Sequence, residues 1–119
     1  PHLFAPIATK AAFEHGEEWR KQMLEYIEGN IIYIENFCSQ YIPEIRPLRP
    51  QASFLVWLDC RGLGLTHEGL IDLFVHKAGL ALNDGEMFSP GGEGFMRLNV
   101  GCSRATIVRA MALIANALR

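Results

Sequence analysis

Seven apolar residues recur at helical spacing along one run: Trp19, Met23, Ile27, Ile31, Ile34, Cys38 and Ile42. A stripe of that length predicts a helix of about seven turns, and its apolar side needs a second layer to pack against. Glu17 and Glu18 open it, two acids set against the positive end of the helix dipole. Glu17 and Lys21 are spaced for an i,i+4 pair on the outer face. Gly29-Asn30 is a weak spot in the middle and predicts a bend. Pro43, Pro47 and Pro50 end the helix and predict an extended linker over 43–50, carrying Arg46 and Arg49.

Around this rod the chain alternates in period. Residues 3–14 carry Phe4, Ile7, Ala8, Ala11 and Ala12 at helical spacing, with Pro6 tolerable only in the first turn and His15-Gly16 as the break. Ala52 to Cys60 reads as a strand with Phe54, Val56 and Leu58 on one face and Ser53, Leu55, Trp57 and Asp59 on the other. Both faces are largely apolar, which predicts a central strand. Thr66 is the N-cap of a third helix bearing Leu70, Leu73, Phe74 and Ala78, and Gly79 is its stop. Leu80-Ala81-Leu82 predicts a short strand, with turns at Asn83-Asp84-Gly85 and Ser89-Pro90-Gly91-Gly92. Phe95 to Val100 predicts a strand, and Ser103 caps a last helix with Ile107, Met111, Ile114 and Leu118 on its buried side. The order gives an α+β class: a small sheet covered by helices.

With 119 residues, half of them hydrophobic, the chain fits one domain with a real core. A net charge of -2 gives no electrostatic case for nucleic acid. No apolar run is long enough to span a bilayer. Cys38, Cys60 and Cys102 are odd in number and far apart, so they read as reduced core residues in a cytoplasmic setting rather than a disulfide or zinc framework. The chain starts at Pro1 without signal-peptide features and reads as cut from something longer.

The candidate site is the strand Phe95-Met96-Arg97-Leu98-Asn99-Val100, fed by Gly91, Gly92 and Gly94. The glycines read as a sharp turn, since no phosphate-loop motif is present. Phe95, Arg97 and Asn99 share one strand face, so a guanidinium and an amide stand together. An arginine among apolar residues needs an anion, and its planar fork suits a carboxylate. On alternation alone, an internal acid such as Asp59 is the first partner and a ligand carboxylate the second. His2, His15, His67 and His76 show no metal spacing, and Lys10, Lys21 and Lys77 fall in charged helical surface patterns. The residues alone show no nucleophile, catalytic base or metal cluster.

Ala78-Gly79-Leu80-Ala81-Leu82-Asn83-Asp84-Gly85, followed by Gly92-Glu93-Gly94-Phe95-Met96-Arg97-Leu98-Asn99-Val100-Gly101-Cys102, resembles the C-terminal part of class I/II aminotransferase-like enzymes. The resemblance is strongest to the cystathionine β-lyase (C–S lyase) branch, the MalY/PatB type. Ala11-Ala12-Phe13-Glu14-His15-Gly16-Glu17-Glu18-Trp19 and Phe54-Leu55-Val56-Trp57-Leu58-Asp59-Cys60-Arg61 extend it over nearly the whole chain. Ser103 stands where many relatives have proline. The resemblance implies a fold-type-I enzyme dependent on pyridoxal 5'-phosphate (PLP), homodimeric, with this chain holding its small domain. Residues 1–16 would be the tail of a large cofactor-binding domain, 17–43 the interdomain helix and 44–119 the small α+β domain. Arg97 would bind the α-carboxylate of an amino-acid substrate, with Asn99 in support. No catalytic, cofactor-binding or metal-ligating residue is expected in this chain, so it should bind no PLP and be inactive alone. A class I/II aminotransferase and a non-catalytic binding module are the alternatives. Apolar surface on residues 3–14 and along Trp19 to Ile31 is expected to face the large domain.

Overall fold

The computed structural model describes residues 2–88 and 90–119, so Pro1 and the Ser89 position of the predicted turn lie outside the described residues. Four α-helices and a four-stranded antiparallel sheet follow in the order α1 (Phe4–His15), α2 (Glu17–Tyr41), β1 (Arg46–Leu48), β2 (Leu55–Asp59), α3 (His67–Ile71), β3 (Asn83–Asp84), β4 (Phe95–Asn99) and α4 (Arg104–Ala117). The sheet order is β1-β2-β4-β3, which makes β2 an inner strand, as its two apolar faces require.

One sheet face is the core. Val56, Leu58, Met96 and Leu98 are buried there against Ile27, Ile31, Ile34 and Cys38 of α2 and Ile107, Met111 and Ile114 of α4. Leu70, Leu73 and Phe74 close the layer from α3 and the turn after it. The stripe of α2 is therefore fully buried only from Ile27 onward; Met23 is half-buried against the core, while Trp19 is 69% exposed. This corrects the expectation of an exposed stripe as far as Ile31: Ile27 and Ile31 belong to the core. In α1 no residue is buried, and Leu3, Phe4, Ile7 and Phe13 are all exposed. The projecting helix explains a Cα radius of gyration of 16.9 Å, against about 13.5 Å for a compact chain of this length.

Several local expectations are corrected. Helix α2 is continuous through Gly29-Asn30, so the weak spot does not break it. Asn30 is fully buried there, and its amide donates to the carbonyls of Val100 (2.9 Å) and Cys102 (3.0 Å). Arg104 Nε donates to Asn30 Oδ1, and the absent side chain of Gly29 makes room for the Arg104 guanidinium. Buried polar atoms so satisfied fix α2 against the sheet rather than weaken it. Glu17 pairs with Arg20 through two 2.8 Å hydrogen bonds, not with Lys21. The predicted linker contains strand β1, which accommodates Pro47 because it lies at the sheet edge.

Thr66 caps α3 by accepting from the Gly69 N–H, and Ser103 caps α4 by accepting from the Thr106 N–H. Helix α3 widens into a π-helical turn over Asp72–Lys77, where the Ala78 N–H reaches the Leu73 carbonyl. Gly79, at φ +68°, ends it, and the Leu80 N–H closes back on the Phe74 carbonyl. The short strand is not Leu80–Leu82 but Asn83–Asp84, the residues expected to turn. Pairing with β4 overrides their turn propensity, and the turn follows at Gly85–Met87. No helix among the described residues is long and apolar enough to cross a membrane.

Candidate functional site

Arg97 occupies the middle of β4. Trp57 of β2 stands opposite it on one side and Asn83 of β3 on the other, with Leu48 of β1 beyond Trp57. Directly paired residues share a face, so these four form one row across the sheet, on the side away from the core.

The guanidinium is held by contacts that leave much of its hydrogen-bonding capacity free. Arg97 Nη2 donates to Asn83 Oδ1 at 3.0 Å. The Phe88 ring centre lies 4.3 Å from the guanidinium carbon, and Phe88 meets Trp57 edge-on at 5.4 Å. An aromatic ring at that distance favours the cation and limits its rotation. Arg97 Nε is buried with no hydrogen-bond partner among the described residues, which costs about 1–3 kcal/mol unless an acceptor reaches it. Beside the row lies a hollow of about 210 Å³ lined by Leu48, Trp57, Phe88, Phe95 and the backbones of Gly85, Gly91 and Gly92. Gly85 and Gly92 approach so closely that a Cβ on Gly85 would fall 2.2 Å from the Gly92 carbonyl oxygen.

Asp59 is not the partner of Arg97. Its two carboxylate oxygens accept from Arg61 Nε (2.9 Å) and Nη2 (2.8 Å). The Arg61 side chain holds the Asp59 carboxyl below its ordinary value of 3.8, against the opposing effect of burial. No carboxylate among the described residues pairs with Arg97. The internal-acid expectation is thus overturned because Arg61, two residues along and more exposed, reaches Asp59 first. A singly tethered, aromatic-backed guanidinium on an open sheet face is suited to an external oxyanion.

Asn99 lies two residues along from Arg97 on the same face, and its Oδ1 accepts from the Gly101 N–H at 2.9 Å. It borders a separate apolar groove of about 630 Å³ between α2 and the chain around Phe54 and Gly101, lined also by Trp19, Met23, Tyr26 and Cys102.

One group escaped the spacing argument. His67, Asp84 and Glu86 converge, with ligand-capable atoms all within 4.8 Å of one another. Their separation in sequence hides the cluster, and only the pairing of β3 with β4 brings the acids back beside the start of α3.

No family model matches the chain. Cystathionine β-lyase PatB of Bacillus subtilis is 40% identical over 98% of this chain and 30% of its own length. Protein MalY of Escherichia coli is 31% identical over the full chain and 30% of its own length. Over its whole length the chain is homologous to the MalY/PatB cystathionine β-lyases. It spans about 30% of the length of these curated relatives. A PLP-bound protein of Clostridium difficile 630, assigned as an aminotransferase, superposes on 99% of the chain and 30% of its own, with a TM-score of 0.94 and 35% identity. PLP-bound C–S lyases share the same fold, so the cofactor of this group of enzymes is PLP. Other aminotransferases match at lower identity or over less of the chain. The α+β layer described above is the C-terminal part of the fold-type-I architecture.

Proposed function

We propose that this chain is the substrate-carboxylate-binding part of a PLP-dependent C–S lyase acting on sulfur amino acids, with Arg97 as the carboxylate donor. The observation that carries the reading is the Arg97 side chain itself. Its guanidinium is backed by Phe88 and tethered by Asn83, its buried Nε has no partner, and no carboxylate among the described residues pairs with it. A fork held this way fixes the orientation of an amino acid by its α-carboxylate, leaving the rest of the substrate free to be positioned elsewhere.

Lys10 pairs with Glu14 and Lys77 with Asp72, both on exposed helix faces, and Lys21 is also exposed. None of the three sits in the desolvated pocket that suits a Schiff-base lysine. The carbon–sulfur cleavage is proposed to need a PLP-bearing portion of the kind the longer relatives possess. The wholly unburied α1 supports residues 1–16 as part of that portion, 17–43 as the connecting helix and 44–119 as the small domain. A homodimer and a cytoplasmic setting belong to the same reading. The lyase is favoured over an aminotransferase because the curated cystathionine β-lyase PatB matches nearly the whole chain at 40% identity, whereas the curated aspartate aminotransferase that spans it matches at 27%.

Acetate, a bare carboxylate, tests the assignment. Titrated into the ¹⁵N-labelled chain, it should move the Arg97 Nε–H signal saturably, and the shift should vanish in Arg97→Ala. A shift no larger than that of the exposed Arg20 overturns the reading. In a polypeptide joining this chain to a PLP-bearing portion, Arg97→Ala should lower kcat/KM for pyruvate release from cystathionine by about 10- to 100-fold, the value of charge-assisted hydrogen bonds.

A further inference from the structure

We propose that His67 is a positioning residue for Arg97: it clamps the segment 83–88 from the core side, so that Asn83 and Phe88 are held on the guanidinium from the other side. This inference rests on the reading of Arg97 as a carboxylate donor.

Strand β3 consists of Asn83 and Asp84 alone, and successive strand residues face opposite ways. Asn83 pairs across with Arg97 and Asp84 with Met96. Asn83 therefore reaches Arg97 Nη2, while Asp84 points to the layer that holds α3. His67 is the first residue of α3, fixed there by the Thr66 cap. Its side chain is 15% exposed, and its Nε2 stands 2.9 Å from Asp84 Oδ1 and 3.5 Å from Glu86 Oε2. The 2.9 Å approach of Nε2 to Asp84 Oδ1 is an ion pair when the imidazole is protonated, although the ring N–H is not well aligned on the oxygen. Asp84 Oδ1 also accepts from the Glu86 N–H at 2.9 Å and closes the turn Gly85–Met87, which delivers Phe88 to Arg97. One carboxylate thus joins His67 to the turn, between the two residues that touch the guanidinium.

The segment needs such a clamp. A two-residue strand supplies few ladder bonds, and Met87 and Phe88 bury little apolar area, at 73% and 45% exposed. The Gly85–Gly92 approach fixes the spacing of the loop but not the tilt of the Phe88 ring.

The charged groups facing His67 are Asp84, Glu86 and Glu93. The Asp84 side chain raises the His67 pKa above its ordinary 6.5, burial opposes this, and the acid charges add to it. The clamp is therefore complete while His67 is protonated. Once the imidazole is neutral, three acids remain with no cation between them, and the clamp loosens.

The test follows the nuclear Overhauser contact between the Phe88 ring and the Arg97 side chain in the labelled chain. Core amides of Val56, Met96 and Ile114 report the fold. In the wild type the contact should be strong at about pH 6 and fall at least about twofold by about pH 9, with the core amides unmoved. His67→Leu should show the weak contact at both pH values, Asp84→Asn the same, and the double variant no more than either. His67→Lys should keep the contact through the alkaline range. A wild-type contact in folded His67→Leu, no loss in the wild type at high pH, or a His67→Lys variant that titrates like the wild type overturns the proposal. Acetate separates the two readings. If it fails to move Arg97 in the wild type, the carboxylate assignment falls, while the Phe88 contact still decides the role of His67.

Discussion

The side-chain amide of Asn30, at the centre of α2, donates to the backbone carbonyl of Val100 at the end of the arginine strand. Its second N–H takes the Cys102 carbonyl, and its oxygen accepts from Arg104. The long helix, the site strand and the last helix are thereby joined at one buried residue. Asn30→Leu strands the two carbonyls and the Arg104 donor. It should cost about 2–4 kcal/mol in urea unfolding, since each orphaned buried group costs about 1–3 kcal/mol. A loss below about 0.5 kcal/mol would show that water replaces the amide without penalty.

Gly29 should respond to alanine in a way that depends on Arg104. Helix propensity alone favours Gly29→Ala by about 1 kcal/mol. The new Cβ, however, would lie 2.5 Å from Arg104 Nη2, a group that also donates to the Tyr26 carbonyl. The substitution should stabilise the chain in an Arg104→Ala background and lose that gain in the wild type. Equal effects in both backgrounds, measured by a double-mutant cycle, would remove Arg104 as the cause.

Stability should be greatest on the acid side of neutrality. Asp59 has a folded pKa below its ordinary 3.8, held down first by Arg61. Its contribution is present above that value and is lost as pH falls through the folded pKa. His67 is raised above 6.5 by Asp84, so its contribution is complete below 6.5 and is lost as pH rises through the folded value. Asp59→Asn should flatten the acid limb of a chemical-denaturation pH profile, and His67→Leu the alkaline limb. The exposed Arg61 end of the first pair keeps that effect small.

Cysteine reactivity should single out one position. Burial pushes the Cys38 and Cys60 thiols up to about 12, so neither supplies thiolate near neutrality. Cys102 is only half-buried, at the edge of the α2 groove. Iodoacetamide at about pH 8 should modify Cys102 well before the other two, as read by peptide mass spectrometry. Equal labelling of Cys38 would mean that the core opens on the timescale of the reaction.

Periodicity made the main elements legible because their signals are local. The α2 stripe, the Thr66 and Ser103 caps, the Gly79 stop and the alternation around Arg97 each follow from backbone geometry within a few residues. Pairing partners were not legible, because they depend on chain segments far apart. Asp59 suited Arg97 in charge, but Arg61 lies closer and takes both its oxygens. Gly29-Asn30 looks weak inside a helix considered alone, and becomes a fastening only when Arg104 and Val100 arrive. Asn83-Asp84 carries turn chemistry, yet two ladder positions beside β4 hold it extended. The His67 cluster needed both that pairing and the start of α3.

Strand β1 closes one side of the sheet, and its middle residue is Pro47. A proline there offers no N–H for another strand to capture, so the outer border of this sheet resists recruitment by a second chain. Most of the largest exposed apolar side chains lie instead on or beside helices, with Leu3, Phe4 and Phe13 at α1 and Trp19 on α2. Crowded copies of this chain should therefore cluster through helices and keep their native circular-dichroism signature, without growing the thioflavin-binding cross-β fibres that an open strand edge would seed.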